Sequence, residues 1–371
     1  MGPRSLALDA SGKPHIAYGG DHLYYGWYDG AVWHRQTVDG AWGVGRYTSL
    51  ALDAAGQPHI SYYHSIDHNL KYARFNGSAW QIETVDSTGR VGEYTSLAMD
   101  AAGLPHIGYY DASNGDLKYA RFDGAAWQIG TIDSGGDVGQ HTSLALDSAG
   151  RPHVSYYDSY GYLKYARFDG AAWQIETVDG DVGWQTYTSL ALDAAGRPHI
   201  SYYDSGWPGH LKYARFDGTA WQIETVGSDG DVGQYTSLAL DSDGRPHISY
   251  YDHANRDLKY ARFDGANWQI ETVDDGEYVA YVGYHTSLAL DSSDRPHISY
   301  YDDYPNDDLK YARFDGADWQ LETVEDGAYV GQQTSLALDS ADRLHISYYD
   351  TSSNDLKYTR FDGAAWQIET V

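Results

Sequence analysis

No cysteine occurs in the 371 residues, which excludes a disulfide framework, a thiolate zinc site and thiol catalysis without naming a compartment. Basic side chains are scarce: 25 Lys and Arg face 53 Asp and Glu, for a formal charge of -28. Such a field repels phosphate, so neither nucleic acid nor an anionic membrane is an expected partner. No apolar run approaches the ~18 residues of a membrane-crossing helix, so membrane insertion is not expected. The opening MGPRSLALD lacks the apolar core of a signal peptide. The expected location is extracellular or at a cell surface, with any export signal either removed or never present.

Catalytic signatures are missing too. There is no G-x-S-x-G, no H-E-x-x-H and no phosphate loop. No carboxylate pair breaks the repetition described below in a single place. The reading is therefore non-enzymatic. The one aberrant stretch, YGGDHLYYGWYDGAVWHRQ near the start, brings in Trp27 and His34 and is where a hydrolase or lyase site would have to lie.

What the chain does contain is one text written eight times. SLALDAAGRPHISYYD, Ser189 to Asp204, has counterparts opening at Ser5, Ser49, Ser96, Ser143, Ser237, Ser287 and Ser335, in steps of 44 to 50 residues. Each copy holds four short segments rich in Tyr, Val, Ile, Phe and Trp, separated by Gly, Pro and Asp, and none shows a 3.6-residue period. In the fifth copy they read SLALD, HISYYD, LKYARFDG and WQIETV. Four antiparallel strands per repeat predict an all-β chain, an eight-bladed β-propeller forming a single domain over residues 1–371. The blades fall at about 5–48, 49–95, 96–142, 143–188, 189–236, 237–286, 287–334 and 335–371. Gly196 and its counterparts Gly12, Gly56, Gly103, Gly150 and Gly244 sit where the first hairpin needs a positive φ, and Asp294 and Asp342 take that place in the last two copies.

The repeat resembles the blade grammar of WD-repeat propellers, in which a small-apolar-x-x-Asp-Gly strand and turn opens each unit, although the Trp-Asp pair itself is absent. That is the expected phase, with SLALD as the innermost strand. In the other phase it is outermost, and the first strand of the chain closes the last blade.

Residues constant in every copy read as framework. Trp33, Trp80, Trp127, Trp173, Trp221, Trp268, Trp319 and Trp366 are expected to plug the spaces between neighbouring sheets. In pairs such as Tyr202 and Tyr203, at least one ring should be core. His15, His59, His106, His153, His199, His247, His297 and His345 stand one to a blade, too far apart to share a metal. The expected partner of each is the Asp ending the preceding strand, Asp193 for His199, which can also cap its own turn. Lys212, Arg215 and their equivalents place 14 of the 25 basic charges on one strand type, and pairing with the Glu of WQIETV is expected, as Arg215 with Glu224. The acidic clusters Asp229–Asp231 and Asp274–Glu277 could hold calcium, yet neither is a full D-x-D-x-D-G loop, and no cofactor is expected.

Copies differ in two loops. One follows the Tyr pair and reads HSIDHN, DASNGD, DSYGY, DSGWPGH, DHANRD, DDYPNDD and DTSSND in blades two to eight. The other carries a V-G element and then a variable residue before Thr: Tyr47, Tyr94, His141, Tyr187, Tyr235, His285 and Gln333. Both should emerge on one face, which makes these seven the candidate ligand-binding residues. The FDGAAW element also resembles the blades of six-bladed fucose-binding lectins, which carry Trp-Asp-Gly-x-x-Trp there. Trp221 matches their stacking ring, whereas the positions of their Arg and Glu clamp read Ser201 and Tyr213. The resemblance implies multivalent sugar binding without implying fucose. The expected function is a monomeric, multivalent binding module for carbohydrate or another extracellular polymer. The alternative is a protein-interaction platform using one acidic face.

Overall fold

The β-branched and aromatic segments form strands, and the Gly- and Asp-rich text between them forms turns. The computed structural model describes residues 6–180, 182–183, 188–276, 280–327 and 329–371. Among these, 32 strands make eight four-stranded antiparallel sheets and there is no α-helix. The sheets are blades of the β-propeller type. Four belong to each of two compact units, residues 1–180 and 181–371.

Blade two shows the plan: strands Val44–Leu52, Pro58–His64, Asn69–Phe75 and Trp80–Asp86 lie side by side in chain order. Every sheet is built from its own four consecutive strands. Leu6–Leu8 pairs with Pro14–Gly19 in the first sheet, and Trp366–Thr370 completes the last. The chain thus enters each blade at the SLALD strand, and the phase in which the first strand closes the last blade does not occur. Within each unit the first strands of successive blades lie against one another, while fourth strands expose Ile82, Ile129, Ile223 and Ile270.

The first strand reaches further back than SLALD. In blade two it begins at Val44, and Tyr47 with Thr48 opposes the single Tyr62 in a β-bulge before Ser49 faces Ser61. The V-G element explains the extension. Gly92, at φ +104°, brings its backbone so close to Leu70 of the preceding blade that an added Cβ would lie 2.7 Å from the Leu70 Cα. Only glycine fits this approach. The hairpin turns behave as read, with φ of 73° at Gly196, 60° at Asp294 and 57° at Asp342.

The core lies between blades, not within one. Leu70, Tyr72 and Val85 of blade two pack with Val91, Leu97, Ile107, Tyr109 and Ala120 of blade three, and Trp127 covers the cluster. Its ring meets Tyr72 edge-on at 5.0 Å, and its Nε1 donates to Glu83 at 2.8 Å. Trp268, Trp319 and Trp366 repeat both contacts, on Tyr213 and Glu224, Tyr260 and Glu271, and Tyr311 and Glu322. Glu224 therefore serves a tryptophan of the next blade, and Arg215 faces Gln222 across its hairpin. Serines stitch the same seams: Ser49 Oγ accepts from Leu97 N, Ser96 from Leu144, Ser237 from Leu288 and Ser287 from Leu336.

Candidate functional site

Each blade has two ends, and the repeated residues divide between them. At the end bearing the first hairpin turn, one arrangement recurs. Asp193 Oδ1 accepts from the amides of Ala195 and Arg197, both at 2.9 Å, and Oδ2 from Arg197 Nε at 2.6 Å. His199 lies in the adjacent strand with Nε2 3.7 Å from Asp193 Oδ2. Its close partner is a residue the sequence reading missed, the Tyr213 hydroxyl, 2.5 Å from Nδ1. All eight histidines follow suit: the Asp contact spans 3.5 to 3.8 Å, and each Nδ1 meets a third-strand Tyr hydroxyl. A neutral imidazole accepts at Nδ1 from Tyr and turns Nε2–H toward Asp, in most blades just beyond hydrogen-bonding distance, and the buried Nε2 of His345 has no hydrogen-bond partner among the described residues. Burial favours that neutral form and lowers every one of these pKa values, His345 to about 4. Among the described residues no three His, Asp or Glu side chains gather as metal ligands.

The lysines also have partners other than those expected. Lys71 pairs at 2.6 Å with Asp39, at the end of the fourth strand of the preceding blade, and the buried Tyr62 hydroxyl donates to the same oxygen at 2.8 Å. Asp86 receives Lys118 and Tyr109, Asp133 receives Lys164 and Tyr156, Asp274 receives Lys310 and Tyr300, and Glu325 receives Lys357 and Tyr348. In these five pairs the first Tyr is thus core, and its hydroxyl is consumed by a seam. Asp274, one of the acids considered for calcium, is committed in this way; Glu277 lies outside the described residues.

The opposite end carries the two variable loops, and backbone hydrogen bonds join them into one belt. Ala112 N donates to Arg90 O within blade three, Val91 N to His68 O of the blade before, and Val138 N to Gly115 O. Within each unit the expectation that both variable loops emerge at the same end of the blades holds. The second Tyr of each pair points into it: Tyr110 donates to Asp137 at 2.5 Å, Tyr203 to Asp231 at 2.5 Å and Tyr301 to Asp307 at 2.6 Å.

The candidate residues Tyr47, Tyr94, His141, Tyr235, His285 and Gln333 all occupy the bulge at φ of 51° to 54°; Tyr187 lies outside the described residues. Their rings touch along each unit, Tyr47 to Tyr94 at 4.7 Å, Tyr94 to His141 at 4.8 Å, and Tyr235 to His285 at 4.6 Å. They form strips, not isolated pockets. Mutual packing raises the Tyr47 hydroxyl to about 12 and lowers His285 to about 4. His141 has an exposed edge yet is lowered in the same direction by desolvation.

The most exposed Trp and Tyr rings were not among the seven. They are Trp42, Tyr160, Trp207, Tyr304 and Tyr329, with Trp207 96% exposed. All five belong to the variable loops, and Tyr160 lies across Gly136. Their signal was present in the text: Trp42, Tyr160, Trp207 and Tyr304 are aromatic where most other copies have small or polar residues, and Tyr329 is aromatic where most have Asp, Arg or Gly. In blade one, Trp27 stacks on His34 at 4.9 Å, and His34 Nε2 bonds Asp29 at 2.6 Å, all on the third and fourth strands and the turn between them.

Neither a protein-family model nor a curated relative matches the sequence. Solved structures do. AofleA from Arthrobotrys oligospora aligns over 99% of this chain and 93% of its own, at 15% identity and a TM-score of 0.50. A polysaccharide lyase described as a PL25 ulvan lyase aligns over 96% and 93%, at 13% identity and 0.51. The chain has the β-propeller fold. The lectin of Aleuria aurantia, solved with Fucalpha1-6GlcNAc, is a further neighbour of the propeller, covering 75% of this chain and 94% of its own at 15% identity and a TM-score of 0.45. At such identities these likenesses concern fold alone.

Proposed function

We propose that the protein is a non-enzymatic, multivalent carbohydrate-binding module. It acts as a monomer outside the cell and without cofactor or metal. The observation that carries this reading is the variable face: exposed Trp and Tyr rings on the loops of different blades, set among Asp side chains and Gly-rich backbone. A flat ring offers a stacking surface for the apolar face of a sugar, and nearby carboxylates and amides match its hydroxyls. Sites repeated over several blades gain by avidity what each lacks in affinity.

A glycan array followed by titration calorimetry, with and without a chelator, tests this. More than one sugar per chain is expected, unchanged by chelation. Trp207→Ala and Tyr304→Ala should each lower the number of sites without changing the melting temperature. A single macromolecular partner per chain, or binding unaffected by both substitutions, would overturn the proposal. Release of unsaturated uronate from acidic polysaccharides would instead place the protein with enzymes such as the lyase neighbour.

A further inference from the structure

One seam departs from the carboxylate rule. Asp39, Asp86, Asp133, Asp274 and Glu325 each receive a buried Tyr hydroxyl and a Lys from the following blade. Between blades five and six, inside the second unit, the corresponding residue is Gly227. Both donors are retained. Tyr250 is 1% exposed, and its hydroxyl has no hydrogen-bond partner among the described residues, although it lies 3.5 Å from where a Cβ on Gly227 would stand. Lys259 turns to Thr272 Oγ1 at 3.1 Å and stays 3.5 Å from Asp252 and 4.0 Å from Asp257. Lys310, by comparison, holds Asp302 at 3.4 Å and also Asp274 at 2.9 Å. Lys259 therefore lacks the closer of the two acids that the equivalent lysine engages.

A third donor serves the seats that hold a carboxylate. At four of the carboxylates the second oxygen accepts from the amide two residues on: Ala41, Thr88, Gly135 and Gly276, at 2.9 to 3.0 Å. The residue two after Gly227 is Asp229. We infer that the blade five to six seam is a binding site for a small monocarboxylate such as formate or acetate. The anion would take the place of the missing side chain between the Tyr250 hydroxyl and the Lys259 ammonium. A buried phenol and a partly buried ammonium arranged for a carboxylate favour one that arrives from solution, for the reason that stabilises the covalent version elsewhere. Lys259 is about one-fifth exposed, which gives the seat an edge open to solvent.

The test compares wild type with Gly227→Asp, which builds the carboxylate in, and with Lys259→Met. Wild type should show saturation transfer to the acetate methyl group in NMR and melt a few degrees higher in acetate than in chloride of equal ionic strength. Gly227→Asp should melt higher than wild type in chloride and lose both acetate responses; Lys259→Met should lose them as well. Asp86→Gly, which opens the same seat between blades two and three, should acquire them. Equal acetate responses in wild type and Gly227→Asp, or no saturation transfer to wild type, would overturn the inference. The transfer measurement on wild type decides the matter even if Asp86→Gly does not fold.

Discussion

The two ends of each blade have met opposite demands. At the turn end, Asp, His and a third-strand Tyr repeat in the same geometry in all eight blades, down to a hydroxyl on every Nδ1. At the loop end only the backbone belt repeats, and the side chains range from Ser to a Trp that is almost wholly exposed. The difference teaches where to look for chemistry. The histidines are the more tempting residues in the sequence, yet they are largely buried and each is tied at Nδ1 to a Tyr of its own blade. The residues free to meet a ligand are those with no counterpart in the next copy.

Acid should break the uniform end first, and this is the largest effect expected. Burial holds each of the eight histidines below its ordinary value near 6.5, so between that value and the folded pKa the unfolded chain binds more protons. Stability should be complete above pH 6.5 and fall as the pH drops toward 4. His345, lowered to about 4, alone accounts for on the order of 3 kcal/mol. Below pH 4 the turn carboxylates such as Asp193, whose pKa is depressed by its amide and Arg197 bonds despite the opposing effect of burial, add a further loss. Urea midpoints at pH 7, 5.5 and 4 should decline steadily; a flat profile down to pH 4 would contradict the neutral-imidazole chain.

Removing a seam ring comes next. Trp127→Ala loses the packing on Tyr72 and strands Glu83, a cost of about 3 kcal/mol. Trp207→Ala on the loop end should change stability by less than about 0.5 kcal/mol while lowering the number of sugar sites. Melting curves of the two proteins sharpen the comparison directly, and similar losses would blur it. Tyr213→Phe is a smaller probe of the turn end. It deprives His199 of its closest partner while keeping the ring, and should cost about 1 to 2 kcal/mol by chemical denaturation.

The smallest expected change is a gain. Blade three has Gly130 where other fourth strands have Glu, and Trp173 Nε1 accordingly has no acceptor among the described residues. Gly130 is exposed, with open space where a Cβ would stand. Gly130→Glu should stabilise the protein by about 1 kcal/mol, and Trp173→Phe should cancel most of that gain in a double-mutant cycle.

The strands, turns, phase and shared face of the variable loops could all be read in advance, because each depends on residues close together in the chain. What could not be read depends on neighbours across a seam or a hairpin. His199 finds Tyr213 only once Ser201 is known to face Tyr213, although the Tyr of LKYARF does accompany the His in every copy. Lys71 finds Asp39 only because the preceding blade delivers it. The candidate Tyr, His and Gln residues were read as loop, whereas those described lie in a bulge of the first strand; nothing in those residue types announces a left-handed backbone, so their assembly into strips was hidden. The exposed Trp207 and Tyr304 were in plain view within quoted loops and were passed over in favour of positions that repeat.

The serine stitches have a consequence for how such a chain is made and how it fails. Ser49 to Leu97 and Ser287 to Leu336 are the same bond between the same two atoms, so each blade recognises its successor by features that every blade shares. Such joints carry no address. A gene lengthened or shortened by one whole repeat would still encode complementary seams, which makes unequal recombination a tolerated route of change. During folding the same anonymity lets a blade dock on a non-adjacent copy, of its own chain or of another, at little initial penalty. The unlike seams at Gly130 and Gly227 are among the few marks that tell one joint from the next.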